Sequence, residues 1–136
     1  MGDMRRLPPL LLTLMACGFA AGCSNISDPS HNTTQDFTDT LQPLGGRVHS
    51  FDVTQKNGEY TATLIAISPT QSSIFQIFLG QDFGDGNCSP ITSPTLAVLN
   101  RVALSGTITK GHYCIEMFDQ GAITEAQNYT LRVSHP

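Results

Sequence analysis

From about residue 36 onward, apolar and polar residues alternate in short runs separated by turn-forming residues. Phe51 and Val53 fall on one parity of the run Arg47 to Thr54. Tyr60, Ala62, Leu64 and Ala66 fall on one parity of Glu59 to Ile67, with Thr61 and Thr63 on the other. Phe75, Ile77 and Leu79 repeat the pattern in Ser73 to Gln81, Tyr113, Ile115 and Met117 in His112 to Asp119, and Tyr129, Leu131 and Val133 in Asn128 to Ser134. Successive side chains of a strand point to opposite faces, so a period of two with one apolar face predicts half-buried antiparallel strands.

Asp36 to Leu41, a run from Val102 through Leu104 and Ile108, and the short apolar Leu96 to Leu99 complete seven or eight expected strands. Pro43 with Gly45-Gly46, Ser68-Pro69-Thr70 and Lys110-Gly111 are the expected breaks, and Lys56-Asn57-Gly58 reads as a hairpin turn because Asn-Gly tolerates positive φ. No segment carries a helical period. The predicted class is all-β: two antiparallel sheets stacked as a β-sandwich, with a jelly roll fitting equally well. The chain has no Trp, which counts against an immunoglobulin domain.

The first 35 residues differ. Arg5 and Arg6 precede a short apolar run, Leu7 to Met15, then Ala20, Ala21, Gly22 and Cys23. The run is too short to span a bilayer and reads as a secretory signal over residues 1–23. Residues 24–35 are polar and read as a flexible tether, leaving 36–136 as the folded domain. Ala20-Ala21-Gly22-Cys23 resembles the lipobox of bacterial lipoproteins, which implies acylation of Cys23. Leu14-Met15-Ala16-Cys17 is the competing site, and a plain secretory signal cut near Ala21 is the third reading. Ser24 after Cys23 resembles outer-membrane sorting in two-membrane bacteria; a secreted or periplasmic protein is the alternative.

Cys88 and Cys114 remain beyond the signal. A leftover pair in an exported chain predicts a disulfide, which pins the 82–94 loop across the outer surface of the 112–119 strand, Cys114 pointing away from the core. Only 13% of residues are charged and the formal net charge is −4, with no basic patch, so nucleic acid is excluded as a partner.

Gly111-His112-Tyr113-Cys114-Ile115-Glu116-Met117-Phe118-Asp119 resembles the G-x-Y-C-V-x-V-x-D segment of bacterial pre-peptidase C-terminal domains. Asn128 to Pro136, Gly58 to Leu64 and Leu79-Gly80 fit the same family. The resemblance covers roughly residues 36 to 136. It implies a small antiparallel β-sandwich that accompanies secreted peptidases as a non-catalytic appendage, although no peptidase portion is present here.

No nucleophile elbow, His-Glu-x-x-His or paired carboxylates stand out, so the chain reads as non-enzymatic. Of its four histidines, His31 lies in the tether, His135 near the end, and His49 and His112 are expected to face outward. No cofactor is expected, save a candidate calcium site at Asp82, Asp85 and Asn87 on a loop with Gly84 and Gly86, which offers oxygen ligands suited to a hard cation; Asp119 joins only if the fold brings it near. Phe83 is the one aromatic expected to be exposed. The expected function is that of a non-enzymatic lipoprotein of the cell envelope, with a lipid anchor in the membrane and a structural role or an unidentified protein or glycan partner. The alternatives are a calcium-assisted carbohydrate-binding module and an accessory domain for peptidase secretion.

Overall fold

Apolar faces at a period of two need a second layer to cover them, and the chain supplies it by folding one long antiparallel sheet over on itself. A computed structural model describes residues 27–136; the signal, Cys17 and Cys23 lie outside the described residues. A 3-10 turn at Pro29–His31 precedes seven strands: β1 (Thr33–Leu41), β2 (Gly46–Ser68), β3 (Phe75–Asp82), β4 (Cys88–Pro90), β5 (Thr95–Ala97), β6 (Val102–Phe118) and β7 (Gln127–His135). Their order is β1-β7-β2-β6-β3-β4, with β5 also on β3.

Two strands are far longer than expected. β2 runs for 23 residues and β6 for 17, and each serves both layers. In the first layer β1, β7, the C-terminal half of β2 and the N-terminal half of β6 lie side by side. In the second, the N-terminal half of β2, the C-terminal half of β6, β3, β4 and β5 do so. Val53 pairs with Gly111 and Asn57 with Thr109, so Thr54, Gln55 and Lys56 oppose Lys110 alone. This bulge bends both strands together and forms a corner between the layers.

The expected hairpin at Asn57-Gly58 and the expected break at Lys110-Gly111 are therefore corrected: both lie inside continuous strands. Neither Asn57 nor Gly58 takes a positive φ. Gly58 serves close packing instead, since a Cβ there would collide with Ser27 Oγ and the ring of Pro136. The tether boundary also moves. Ser27 N–H donates to the Asn57 carbonyl at 2.7 Å, Asn32 Nδ2 donates to the Glu59 carbonyl at 2.8 Å, and β1 begins at Thr33. Residues 27–35 belong to the domain because their backbone and side-chain donors find partners on it.

The layers enclose one core. Leu41, Leu64, Ile77, Ile115, Met117, Leu131 and Val133 are fully buried within it. Burying one such side chain is worth about 1.5–3 kcal/mol. Phe75 of β3 and Tyr129 of β7, strands that never pair, approach to 6.0 Å between ring centroids across it. Most of the predicted inward faces point inward, with two breaks in phase. Leu64 pairs with Leu131 but Ala66 with Thr130, so Ile65 is an extra residue; beyond it Ala66 is exposed and Ile67 buried. A second bulge sits at Ala103, and Val102 is exposed.

Candidate functional site

Register in the second layer decides which side chains meet on its outer face. Ser50 of β2 opposes Cys114 of β6, which opposes Gly80 of β3; Asp52 opposes His112. Asp82, next after the Gln81–Tyr113 pair, continues that second row. Asp52, His112 and Asp82 thus stand abreast on three neighbouring strands. His112 Nδ1 bonds Asp52 Oδ1 at 2.5 Å. Both groups are well exposed, so the pair adds little stability.

The Asp82–Asn87 loop leaves the sheet beside this row. Gly84 and Gly86 both take positive φ, 78° and 82°. Asp82 Oδ1 accepts the Gly84 N–H at 2.7 Å and Asp85 Oδ1 accepts the Asn87 N–H at 3.0 Å. These two side-chain-closed turns rigidify the loop. A bond from the Ser50 hydroxyl holds the Asp82 carboxyl below its ordinary range, helped by the Gly84 N–H and the charge of His112. Bonds from Asn87 do the same for Asp85. Phe83 projects from the loop 71% exposed. With Gln81, Asp82, Gly84 and His112 it lines one shallow hollow; Asp52, Val53, Thr54, Lys110, Gly111 and His112 line another. His112 belongs to both.

The disulfide clamps the far end of the loop. Cys88, paired with Asp82 across the β3–β4 ladder, is bonded to Cys114, with Cα atoms 5.7 Å apart. The bridge lies over Gly80, where a Cβ would stand 2.5 Å from Cys88 Sγ and 2.6 Å from the Ser89 carbonyl oxygen. Cys114 points away from the main core as expected, but not into water. It is fully buried in a second cluster with Phe78 and Cys88, covered by Val48 and Phe118. Burial beside this cluster pushes the Glu116 carboxyl up.

Asp82, Asp85 and Asn87 are brought together in the loop, with one oxygen of each carboxylate turned onto the main chain. Asp119 does not join them. It lies at the other end of β6, where its carboxylate accepts from Leu44 N at 2.9 Å and Ala122 N at 2.7 Å. Burial raises its pKa, but the surrounding N–H groups outweigh that and leave it lowered. Among the described residues, no three His, Cys, Asp or Glu side chains gather as a metal cluster.

His49 corrects the sequence reading. It shares parity with Phe51 and Val53, so it faces inward, only 9% exposed. Its Nε2 bonds Tyr129 Oη at 2.7 Å, and Phe37 stacks on its ring at 5.0 Å. Burial lowers the His49 pKa and raises that of Tyr129. His112 faces outward as expected; His135 is buried, its ring tilted against Phe51 with centroids 4.9 Å apart. The buried His49 has a pH consequence. Its folded pKa lies below the unfolded value near 6.5, so the unfolded chain binds the proton first as pH falls. Stability is then fully present above about pH 7 and declines below about pH 6.5. Melting curves from pH 8 to about pH 5 should show this fall, and His49→Gln should flatten it. An unchanged slope in that variant would show that other groups cause it.

No family model matches the chain, and no curated protein matches it. Solved structures do. The chain is similar to the Yersinia pseudotuberculosis-derived mitogen, with 17% identity over 77% of this chain and 87% of that one, at a TM-score of 0.51. It also aligns with a periplasmic inhibitor of g-type lysozyme from Aeromonas hydrophila, at 14% identity, 80% and 91% coverage and a TM-score of 0.49. A third alignment is with the Bacillus endospore appendages that form disulfide-linked pili, at 9% identity, 80% and 93% coverage and a TM-score of 0.33. At these identities the likeness to the mitogen is one of fold, and the two lower scores add nothing to it.

Proposed function

We propose that the protein is a non-enzymatic, exported lipoprotein of the bacterial envelope that acts by binding, with the Asp82–Asn87 loop and the neighbouring His112 row as its contact surface. The observation that carries this reading is the placement of Phe83. A large aromatic left 71% exposed on a short loop has no role in the core. Here that loop is held at both ends, by the Asp82 turn and by the disulfide, so little ordering entropy is lost on contact. The disulfide favours an oxidising compartment, in keeping with an export signal ahead of Cys23.

The lack of an enzymatic role is supported by the surroundings of the titratable groups. His112 is wide open to water, and among the described residues its ring is bonded to Asp52 and not to a nucleophile. His49 is locked between Phe37 and Tyr129. Phe83 also favours a second reading, a sugar stacked on its ring with Asp82 and His112 as polar partners.

Mass spectrometry of protein extracted from membranes tests the first reading. We expect an acylated Cys23 as the new N-terminus and two hydrogens missing at Cys88–Cys114. An unacylated mature chain cut near Ala21 would overturn the anchor. Melting in calcium chloride, and with a panel of soluble cell-wall and plant oligosaccharides, tests the second. A shift in melting temperature abolished by Phe83→Ala would establish the glycan module, because ligands of the native state stabilise it by mass action.

A further inference from the structure

The corner where the sheet folds over gathers features of separate origin. Ser27, the first described residue, is hydrogen-bonded there to Asn57, and its Oγ and the Pro136 ring both lie against Gly58. Lys56 and Lys110, the only two lysines in the chain, lie on the two strands of the bulge and are both exposed. Lys110 lines the hollow that shares His112 with the Phe83 hollow. One end of the domain therefore carries the incoming chain, both lysines and the most exposed phenylalanine among the described residues.

If Cys23 bears the lipid, only Ser24, Asn25 and Ile26 stand between it and the docked Ser27. Four extended residues reach about 14 Å at most. The polar headgroup layer on each side of the hydrocarbon is itself about 5–8 Å thick. A domain on so short a lead rises at most about 6–9 Å beyond the headgroups, so its fastened end stays close against its own membrane. It meets the membrane with the corner, because the corner is where the lead is fastened.

We propose that this end is a membrane-docking face, with Phe83 entering the headgroup boundary and Lys56 and Lys110 pairing with lipid phosphates of the bilayer that holds the acyl chains. A ring at the acyl–headgroup boundary flanked by lysines is the usual chemistry of interfacial contact. The adjacent carboxylates stay charged and work against anionic headgroups, so the contact rests on the ring and on the two lysine–phosphate pairs. Asp82 and Asp85 each direct an oxygen to loop N–H groups, and Asp52 is paired with His112. The docking face deepens the function proposed above and rests on the anchor at Cys23.

The absence of Trp from the chain makes the test direct. Phe83→Trp places one reporter at the corner. Leu96→Trp places one on β5, at an exposed site paired with Gln76 near the opposite end of β3. Both full-length acylated proteins are reconstituted in vesicles of phosphatidylethanolamine with a minority of phosphatidylglycerol, with bromine on the acyl chains near the headgroups. The Phe83→Trp protein is expected to shift its emission to the blue and lose most of it to bromine quenching. Lys56→Glu with Lys110→Glu in the same protein should restore much of that emission. The Leu96→Trp protein should behave as in bromine-free lipid.

Equal quenching of both reporters, or none at Phe83→Trp in protein that is acylated and floats with the vesicles, overturns the docking face alone. Protein that is unacylated and fails to float overturns the anchor and the docking face together. A Phe83→Trp emission that responds to soluble oligosaccharide and not to brominated lipid assigns the loop to glycan and overturns the membrane contact.

Discussion

Replacing Cys88 and Cys114 together by alanine is expected to lower the unfolding free energy by about 3 kcal/mol, on the chain-entropy account of a loop of this length. The bridge joins residues 26 apart, so its loss frees a long loop in the unfolded chain. Two further effects act in the folded state. Both sulfurs belong to the small cluster with Phe78, Val48 and Phe118, and alanine leaves space there. The β3–β4 pairing is only three residues long and is extended only by the bonds of Ile91 and Thr92 to Leu79, so without the bridge the loop end rests on these few bonds. For a domain of this size the change corresponds to a fall of roughly 10–20 °C in melting temperature, readable by calorimetry. A fall of less than about 5 °C would mean that the ladder and the cluster hold the loop without the bond.

Tyr129→Ala is expected to be more costly, about 4 kcal/mol or more, because a fully buried ring is removed from the centre of the core. Tyr129 spans both layers, meeting Phe75 at 6.0 Å and His49 at 2.7 Å through its hydroxyl. Truncation leaves a void and also strips His49 of its partner, and an unpaired buried polar group adds about 1–3 kcal/mol. Tyr129→Phe isolates the second effect and should cost about 1–2 kcal/mol. Urea unfolding separates the two, with the midpoint moving and the slope unchanged. Equal losses in the two variants would show that the core collapses around the missing ring and that only the hydrogen bond matters.

The parts of this protein that were readable from its residues share one physical basis. Alternation is local, so the inward faces of β3 and β7 and most of β2 and β6 could be read directly, as could the all-β class. The outward, turn-closed character of the Asp82–Asn87 loop was readable because Asp and Gly at short spacing favour such turns. The cysteine pairing followed from there being no other partners beyond the signal. His49 was legible too, since 49, 51 and 53 share a parity, yet a histidine among exposed neighbours reads as polar surface unless that parity is applied to it.

Other features depend on long-range contacts. Asn-Gly has the local chemistry of a hairpin, but the corner wins because β2 and β6 keep pairing through it and Gly58 is needed by Ser27 and Pro136. The phase breaks at Ile65 and Ala103 come from register against partner strands. Residues 27–35 look like a tether by composition, and only β7 and the Asn57 and Glu59 carbonyls draw them into the fold. By itself the sequence determined which side chains avoid water and which cysteines remain to pair. The tertiary structure alone decided that Asp52, His112 and Asp82 share a row and that both lysines, Ser27 and Phe83 share one end. Side-chain alternation is set within a strand, whereas neighbours across strands are set by register and by where the sheet bends.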